Sequence, residues 1–151
     1  MLRESKVCVF SYGEIGYNLL CFVCNHDKKI NLVFLRKSDD NLEEKIKICK
    51  ESNTSFEVIE SISDPKCVKF FESEDIDLVF LLWWPDIVPE RIIDKIKTGI
   101  VNLHPSYLPY NRGMHPYYWS IVDKTPAGVS LHFIDEKIDA GHIISQEKIK
   151  T

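Results

Sequence analysis

The sequence has no apolar run long enough to cross a bilayer, and the charges of Arg3, Glu4 and Lys6 near its start favour the expectation that no signal peptide opens the chain. A net charge of −4 at pH 7 argues against a general nucleic-acid binder, which needs a basic surface, although one local basic group suffices for a small anionic substrate. No linker, repeat or low-complexity tract is present. These absences predict a cytoplasmic protein that binds neither nucleic acid nor a membrane.

The cysteines lack the arrangement of a metal site or a disulfide framework. There are five, an odd number, and only Cys21-x-x-Cys24 forms a close pair, with His26 nearby. A structural zinc site needs four ligands, and a thioredoxin-like pair would open a helix rather than lie late in one. We therefore expect reduced cysteines packed in the core and no metal.

The 151 residues, 44% hydrophobic and 28% charged, predict a single globular domain. Apolar strand-like runs alternate with helix-like segments from residue 7 to about residue 104, which predicts right-handed βαβ units. The expected fold class is α/β, a Rossmann-like and mostly parallel sheet with helices on both faces. The expected strands are 7–10, 30–35, 56–59, 78–84, 99–101, 129–134 and one from 143, and the expected helices are 17–24, 41–52, 65–73, 89–97 and 117–122.

The first turn, Ser11 to Gly16, carries only part of a dinucleotide-binding fingerprint. The full pattern needs a glycine where Ser11 stands and an acidic residue after the second strand, where the chain has Arg36. A tight strand-to-helix turn is the favoured interpretation. Ser11 and Tyr12 remain candidates for holding a substrate.

A proline-rich stretch, Asn102 to Pro116, follows the fifth strand-like run. Its three prolines exclude a helix or a central strand, and its aromatic and apolar residues indicate an ordered loop. If the strand continues to His104, the side chains of Asn102 and His104 project from the same face at its carboxyl end, where open α/β sheets carry ligands. Such a pair suits proton transfer and stabilisation of a developing oxyanion.

Two further loops contain candidate functional groups. In the segment Trp83 to Pro89, two prolines prevent several main-chain N–H and carbonyl groups from forming the hydrogen bonds of a β-sheet. A flat heterocycle with amide-like edges could form hydrogen bonds with these groups.

The segment Asp135 to Gly141 is most simply interpreted as a solvated turn. Asp139 becomes a candidate only if the loop folds back over Asn102 and His104. His132 alternates with apolar neighbours and is predicted to be structural.

The segments Asn102–Pro109, Arg112-Gly113 and Gly128–Gly141 together resemble the signature of the folate-dependent formyltransferases, and the resemblance extends over roughly residues 78–148. That family transfers a formyl group from N10-formyltetrahydrofolate to an amine, and its N-terminal domain has the fold expected above. The resemblance implies a catalytic trio of Asn102, His104 and Asp139, in which His104 acts either as base or as electrophile. It also implies a cis bond between Leu108 and Pro109.

The resemblance further implies a folate site, with Trp84, Asp86, Ile87 and Val88 on one side of the pterin and Asp135 and Ile138 on the other. We expect main-chain groups of residues 86–88 to bind the pterin. In that case Asp86→Ala should weaken folate binding little, and Ile87→Pro, which removes an N–H, should weaken it strongly.

Within the family, the segment Arg112–Trp119 is most similar to nucleotide-linked amino-sugar N-formyltransferases. Arg112 and His115 are the implied substrate-binding residues, since Arg112 can hold a phosphate and the following aromatic rings can stack on a sugar or base. The alternatives are a glycinamide ribonucleotide or methionyl-tRNA formyltransferase, or a truncated folate-binding module of low activity. Family domains usually continue further, so residues 1–151 are expected to form one catalytic domain that is short at its C-terminus, with a homodimer possible.

Overall fold

A computed structural model describes residues 4–26 and 29–149 of the chain. The fold divides into two compact units, Met1–Ile100 and Val101–Thr151. The fifth strand begins in the first unit and continues into the second.

The first unit is built on parallel strands in the order β3-β2-β1-β4. Each strand is followed by a helix, as the alternating pattern predicts. The elements are β1 (Val7–Ser11), α1 (Gly13–Cys24), β2 (Leu32–Arg36), α2 (Leu42–Glu51), β3 (Phe56–Ile59), α3 (Pro65–Ser73), β4 (Leu78–Leu82) and α4 (Glu90–Ile93). The predicted α/β fold class is confirmed.

Both faces of this sheet are apolar because each is covered by helices. On one face Val9 and Leu35 belong to a buried cluster with Leu20 of α1 and Cys49 of α2. On the other face the rings of Phe10 and Phe34 stack with their centroids 4.6 Å apart. Phe71 of α3 packs against both rings. Each buried side chain of this size contributes about 1.5–3 kcal/mol.

Several element boundaries differ from the prediction: α4 spans only Glu90–Ile93 rather than 89–97, β2 spans Leu32–Arg36 rather than 30–35, and two further differences have a clear local cause. Helix α1 begins at Gly13 rather than at Tyr17, because Gly13 has φ +65° and its N–H donates to the Asp39 carboxylate at 3.1 Å, so the chain turns at once. Strand β4 ends at Leu82 rather than at Trp84, because Trp83 has φ +64° and leaves the extended conformation.

The second unit is antiparallel. It contains β5 (Gly99–His104) from Val101 onward, α5 (Pro116–Val122), β6 (Gly128–Phe133) and β7 (Ile143–Lys148). Strand β6 lies between β5 and β7 and is antiparallel to both. In the β5–β6 register Asn102 is opposite His132 and His104 is opposite Ser130, so all four belong to one face of the pair.

The loop after β5 is held by buried Ser130. Its Oγ donates to the Ser106 carbonyl at 2.7 Å and accepts from the Leu108 N–H at 3.0 Å and from Gln146 Nε2 at 2.9 Å. The Leu108–Pro109 bond within this loop is cis, as predicted. Buried main-chain groups of this irregular segment thereby form hydrogen bonds although the segment is not part of a β-sheet.

Cys8, Cys49 and Cys67 are buried in the core, as expected, whereas Cys21 and Cys24 are only half-buried. All five are free thiols, and burial raises the pKa of the Cys8, Cys49 and Cys67 thiols to about 12.

Within residues 4–26 and 29–149, no helix is both long and apolar enough to cross a membrane.

A buried ion pair joins α2 to the loop after β2. Lys45 donates to the Asp39 carboxylate, and the side chains of both residues are at most 1% exposed. Burial lowers the pKa of Lys45, and the Asp39 charge only partly offsets this. Asp39 also accepts from the Gly13 N–H at 3.1 Å and the Asn41 N–H at 3.0 Å, so the pair supports the start of α1.

We expect Lys45→Met to lower the free energy of unfolding by about 3–5 kcal/mol, because it leaves Asp39 buried without its cation. Urea unfolding followed by circular dichroism measures this. The matched control is Lys47→Met on the same helix, whose ammonium is 75% exposed and lies 3.9 Å from Glu51, and it should leave stability nearly unchanged. Equal stability of Lys45→Met and the wild type would contradict the expectation.

Candidate active site

Strand β5 ends with the two polar side chains that the sequence singles out. The strand runs to His104, so Asn102 and His104 lie on the same face at its carboxyl end. His104 is buried and Asn102 is half-buried. Buried polar groups need hydrogen-bond partners, and these partners define the site.

Asp139 lies beside them. Its Oδ2 accepts from the Gly113 N–H at 2.8 Å and is 3.5 Å from His104 Nδ1, while its Oδ1 is 3.5 Å from His132 Nε2. Asp139 has φ +48°, a left-handed conformation that Asp tolerates better than most residues. The loop therefore does fold back toward His104, the condition on which its candidacy depended.

Burial raises the pKa of Asp139, but donation from His132 and Gly113 and the positive charge of the two histidines lower it further than burial raises it. The net result is a pKa below the ordinary value, so the carboxylate is ionised at neutral pH.

His132 is the residue that sequence reasoning missed. It is fully buried, its Nδ1 is 2.8 Å from the Phe133 carbonyl, and its Nε2 is 3.5 Å from Asn102 Nδ2. The available signal was that polar Ser130 and His132 alternate along β6, so once β6 pairs with β5 they share the face of Asn102 and His104. The prediction that His132 is structural agrees with its full burial, but it did not anticipate the contacts with Asp139 and Asn102.

Both ring nitrogens of His104 face acceptors. Nε2 is 3.1 Å from the Asn111 carbonyl, and Nδ1 faces the Asp139 carboxylate. Only the imidazolium form donates at both positions. Asn111 has φ +54°, and its Oδ1 accepts from Thr125 Oγ1 at 2.7 Å, which orients the carbonyl toward His104.

The loop that carries Asp139 returns to β6 at Gly141. A Cβ at Gly141 would lie 1.9 Å from the Phe133 carbonyl oxygen, so only glycine fits there. Asp135 and Ile138, the predicted folate contacts of this loop, are exposed, and Asp135 Oδ1 accepts from the Lys137 N–H at 2.8 Å.

The predicted substrate residues Arg112 and His115 are exposed. Arg112 precedes Gly113, whose N–H donates to Asp139. His115 has φ +56° and begins α5, where its carbonyl accepts from the Trp119 N–H at 3.3 Å. On α5, Tyr117 and Tyr118 are 50% and 61% exposed and so available for stacking.

The other predicted substrate residues lie in the first unit. Ser11 is fully buried, its Oγ has no hydrogen-bond partner in the described part of the chain, and a Cβ at Gly16 would lie 3.0 Å from that Oγ. The Ser11 side chain therefore packs beneath the first turn of α1. Tyr12 is half-buried, and its ring centroid lies 5.6 Å from Arg36 Cζ.

The predicted folate loop, residues 84–88, is also in the first unit. Trp84 and Val88 are buried, whereas Ile87 is 76% exposed. In the part of the chain that the structure describes, the main-chain groups of Ile87 and Val88 make no hydrogen bond. They suit the amide-like edge of a pterin.

Asp86 has a larger structural role than expected. Its carboxylate accepts from Arg36, Ile62 and Trp84, so Asp86→Ala would release three donors. These contacts predict that Asp86→Ala disturbs the loop, contrary to the expectation from the sequence that this change weakens folate binding little.

No metal-binding set accompanies these residues: across residues 4–26 and 29–149 no group of three or more His, Cys, Asp or Glu side chains has the arrangement to hold an ion.

The lowered pKa of Asp139 gives a pH-dependent contribution to stability. A carboxylate with a depressed folded pKa stabilises the fold above its unfolded pKa, about 4, and this contribution is lost as pH falls through the folded value. Asp139→Asn should lower the free energy of unfolding at pH 7 by about 1–3 kcal/mol, and the difference from the wild type should shrink below about pH 4.

Urea unfolding between pH 7 and pH 3 measures this difference. Asp123→Asn, an exposed residue after α5, is the control and should show no such trend. A difference between Asp139→Asn and the wild type that stays constant across this range would refute the assignment.

Known proteins that are similar to this chain include formyltransferases. The formyl transferase family matches residues 6–151. The chain is 33% identical over 153 residues to the bifunctional polymyxin resistance protein ArnA of Wigglesworthia glossinidia brevipalpis, covering 96% of this chain and 23% of that protein. It is 34% identical over 88 residues to the methionyl-tRNA formyltransferase of Syntrophus aciditrophicus (strain SB), covering 58% of this chain and 28% of that protein. The chain thus spans about a quarter of the length of these relatives.

Solved structures show the same fold. A phosphoribosylglycinamide formyltransferase from Streptococcus pneumoniae TIGR4 has a TM-score of 0.78 and 25% identity, covering 97% of this chain and 83% of that one. A sugar N-formyltransferase from Shewanella sp FDAARGOS_354 has a TM-score of 0.74 and 22% identity, covering 99% of this chain and 58% of that one. With the family match over nearly the whole sequence, the chain belongs to the formyl transferase family.

Proposed function

We propose that this chain transfers a formyl group from N10-formyltetrahydrofolate to the amine of a nucleotide-linked amino sugar. The observation that carries the proposal is the cluster of Asn102, His104 and Asp139 within one unit, with an ionised carboxylate 3.5 Å from the imidazole of His104. An amide donor, an imidazole and a carboxylate are the groups that acyl transfer to an amine requires.

The folate donor fits the main chain of residues 84–88. Among the described residues, nothing pairs with the main-chain N–H and carbonyl groups of Ile87 and Val88. Asp135 and Ile138 of the Asp139 loop, which are exposed, are proposed as further folate contacts. When bound, N10-formyltetrahydrofolate supplies the formyl group.

Each side chain of the cluster has a distinct proposed role. Asn102 donates a hydrogen bond to the oxygen on which negative charge develops, and His104 either donates to the same oxygen or takes the proton that the amine loses. Asp139 orients the His104 ring or relays that proton through water, and the proton is delivered to N10 so that tetrahydrofolate leaves as a neutral amine. His132 positions Asp139 and Asn102. His104 Nε2 contacts the Asn111 carbonyl, which a substrate oxygen would replace as its acceptor.

The acceptor substrate is proposed from the segment after the catalytic loop. Exposed Arg112 is a fixed cation for a phosphate, His115 adds a polar group, and the rings of Tyr117 and Tyr118 offer stacking surfaces. The net charge of −4 fits a small anionic substrate better than a nucleic acid. The likeness to a sugar N-formyltransferase supports the same class. Tyr12 is proposed as a further substrate contact, and the five free thiols support a cytoplasmic location.

The test is turnover with a panel of acceptors. The chain is incubated with N10-formyltetrahydrofolate and amino-sugar nucleotides, glycinamide ribonucleotide or methionyl-tRNA, and release of tetrahydrofolate is followed. Fastest turnover with an amino-sugar nucleotide supports the proposal. Faster formylation of glycinamide ribonucleotide or methionyl-tRNA would reject the sugar and retain formyl transfer, and absence of turnover with every acceptor would reject formyl transfer.

Asn102→Ala should lower kcat by about two to three orders of magnitude, because removing one oxyanion donor raises the barrier by roughly 3 kcal/mol. Asn18→Ala, an exposed residue of α1, is the matched control and should retain wild-type kcat. A kcat for Asn102→Ala within threefold of the wild type would exclude Asn102 from catalysis.

Arg112→Ala should raise the KM for the amino-sugar nucleotide about tenfold or more while leaving the KM for the folate nearly unchanged, because a charge-assisted phosphate contact is lost. Arg91→Ala, which removes another exposed arginine, is the control. Steady-state kinetics with each substrate varied in turn measures the effect, and equal changes in both KM values would contradict the assignment.

A further inference from the structure

Arg36, at the end of β2, makes an ion pair with the proposed folate loop. Its Nη1 donates to Asp86 Oδ1 at 2.6 Å, and the two side chains are only 23% and 20% exposed. A partly buried, charge-assisted hydrogen bond of this length is stronger and less screened than a surface ion pair. The exposed neighbour Lys37 pairs with Glu60 at 2.9 Å, with side chains 70% and 65% exposed, and gives a direct contrast.

The second oxygen of Asp86 binds two more donors. Oδ2 accepts from the Ile62 N–H at 3.0 Å and from Trp84 Nε1 at 3.2 Å. A single carboxylate thus joins the end of β2, the loop after β3 and the loop after β4. Each donor left without this acceptor would lose a hydrogen bond in a partly buried setting.

The guanidinium of Arg36 also contacts two aromatic rings. Its Cζ is 5.6 Å from the ring centroid of Tyr12 and 6.0 Å from that of Trp84, within the range of cation–π attraction. Arg36 therefore touches the turn after β1 as well as the loop after β4. Both carry residues to which the proposed function assigns ligand contacts.

The folate loop needs such support. It begins at Trp83, whose φ of +64° is unfavourable for a bulky residue, and a strained conformation persists only where its surroundings determine it. Ile87 and Val88 present main-chain groups without partners in the described part of the chain, so their direction depends on the shape of the loop. A loop fixed before binding loses less conformational entropy when the ligand arrives.

We propose that Arg36, acting through Asp86, is a positioning residue that holds residues 84–88 in the conformation that binds folate. This inference rests on the proposed function and extends it to a residue that contacts neither the formyl group nor the amine. Arg36 acts before chemistry, on the affinity for folate. Its loss should therefore change binding and leave the catalytic step largely intact.

The test is isothermal titration of tetrahydrofolate into the wild type and into Arg36→Met, Arg36→Lys, Asp86→Asn and the double variant Arg36→Met/Asp86→Asn. Arg36→Met should weaken tetrahydrofolate binding about tenfold or more, the change expected when a charge-assisted hydrogen bond that shapes the loop is lost. The double variant should be little weaker than either single variant, because the two residues act as one unit. Arg36→Lys should recover part of the affinity.

Kinetics and a matched control separate positioning from general stability. The KM for N10-formyltetrahydrofolate should rise in Arg36→Met while kcat at saturating folate stays within about threefold, since a binding interaction common to ground and transition states is lost. Lys37→Met removes the neighbouring exposed ion pair and should leave tetrahydrofolate affinity unchanged. Thermal unfolding of each variant verifies that the protein being titrated is folded.

Wild-type affinity in folded Arg36→Met overturns the inference. Additive losses in the double variant also overturn it, because they show that Arg36 does not act through Asp86. If Arg36→Met fails to fold, Asp86→Asn decides, and wild-type affinity in that folded variant rejects the inference. Failure of the wild type to bind tetrahydrofolate is a separate result that rejects the proposed function itself and this inference with it.

Discussion

A single partly buried carboxylate organises the second unit. Asp139 accepts from the main chain at Gly113 and lies within 3.5 Å of the rings of His104 and His132, so its charge holds two histidines and one loop together. A buried charge is tolerated only when it is paired and hydrogen-bonded, and the fold provides these partners from β5, β6 and the loop between them. The same contacts underlie the role that we propose for Asp139 in proton transfer.

Carboxylates have a similar task in the first unit. Asp39 holds the beginning of α1 through the Gly13 N–H while paired with Lys45, and Asp86 connects three segments while paired with Arg36. Each combines main-chain donors with one cation. Beyond the strand ends, these side-chain carboxylates accept the hydrogen bonds that a neighbouring strand would otherwise accept. The ends of the parallel strands are thereby held in place without extending the sheet.

Periodicity and turn chemistry predict most of the fold. The strands are recognisable because they are apolar on both faces, and α3 is recognisable because Asp64 caps it with proline at its first position. Local sequence did not reveal that His132 faces Asn102, because that follows from strand register between distant segments. It also did not reveal the contacts of Asp86, which depend on Arg36 fifty positions earlier. The candidate trio was identified because the resemblance to the family assigns its residues a role, whereas His132 and Gly113, which lie in the same motif, were given none.

The absence of a side chain at Gly141 has a consequence for natural variation and for engineering. The loop bearing Asp139 approaches the Phe133 carbonyl so closely that even a methyl group there would collide with backbone. Backbone cannot move aside as a flexible side chain can, so substitution would displace the whole loop and the carboxylate with it. Variants at this position are therefore expected to lose activity without any change in the chemical groups of the site, and a library aimed at new acceptors should leave it untouched.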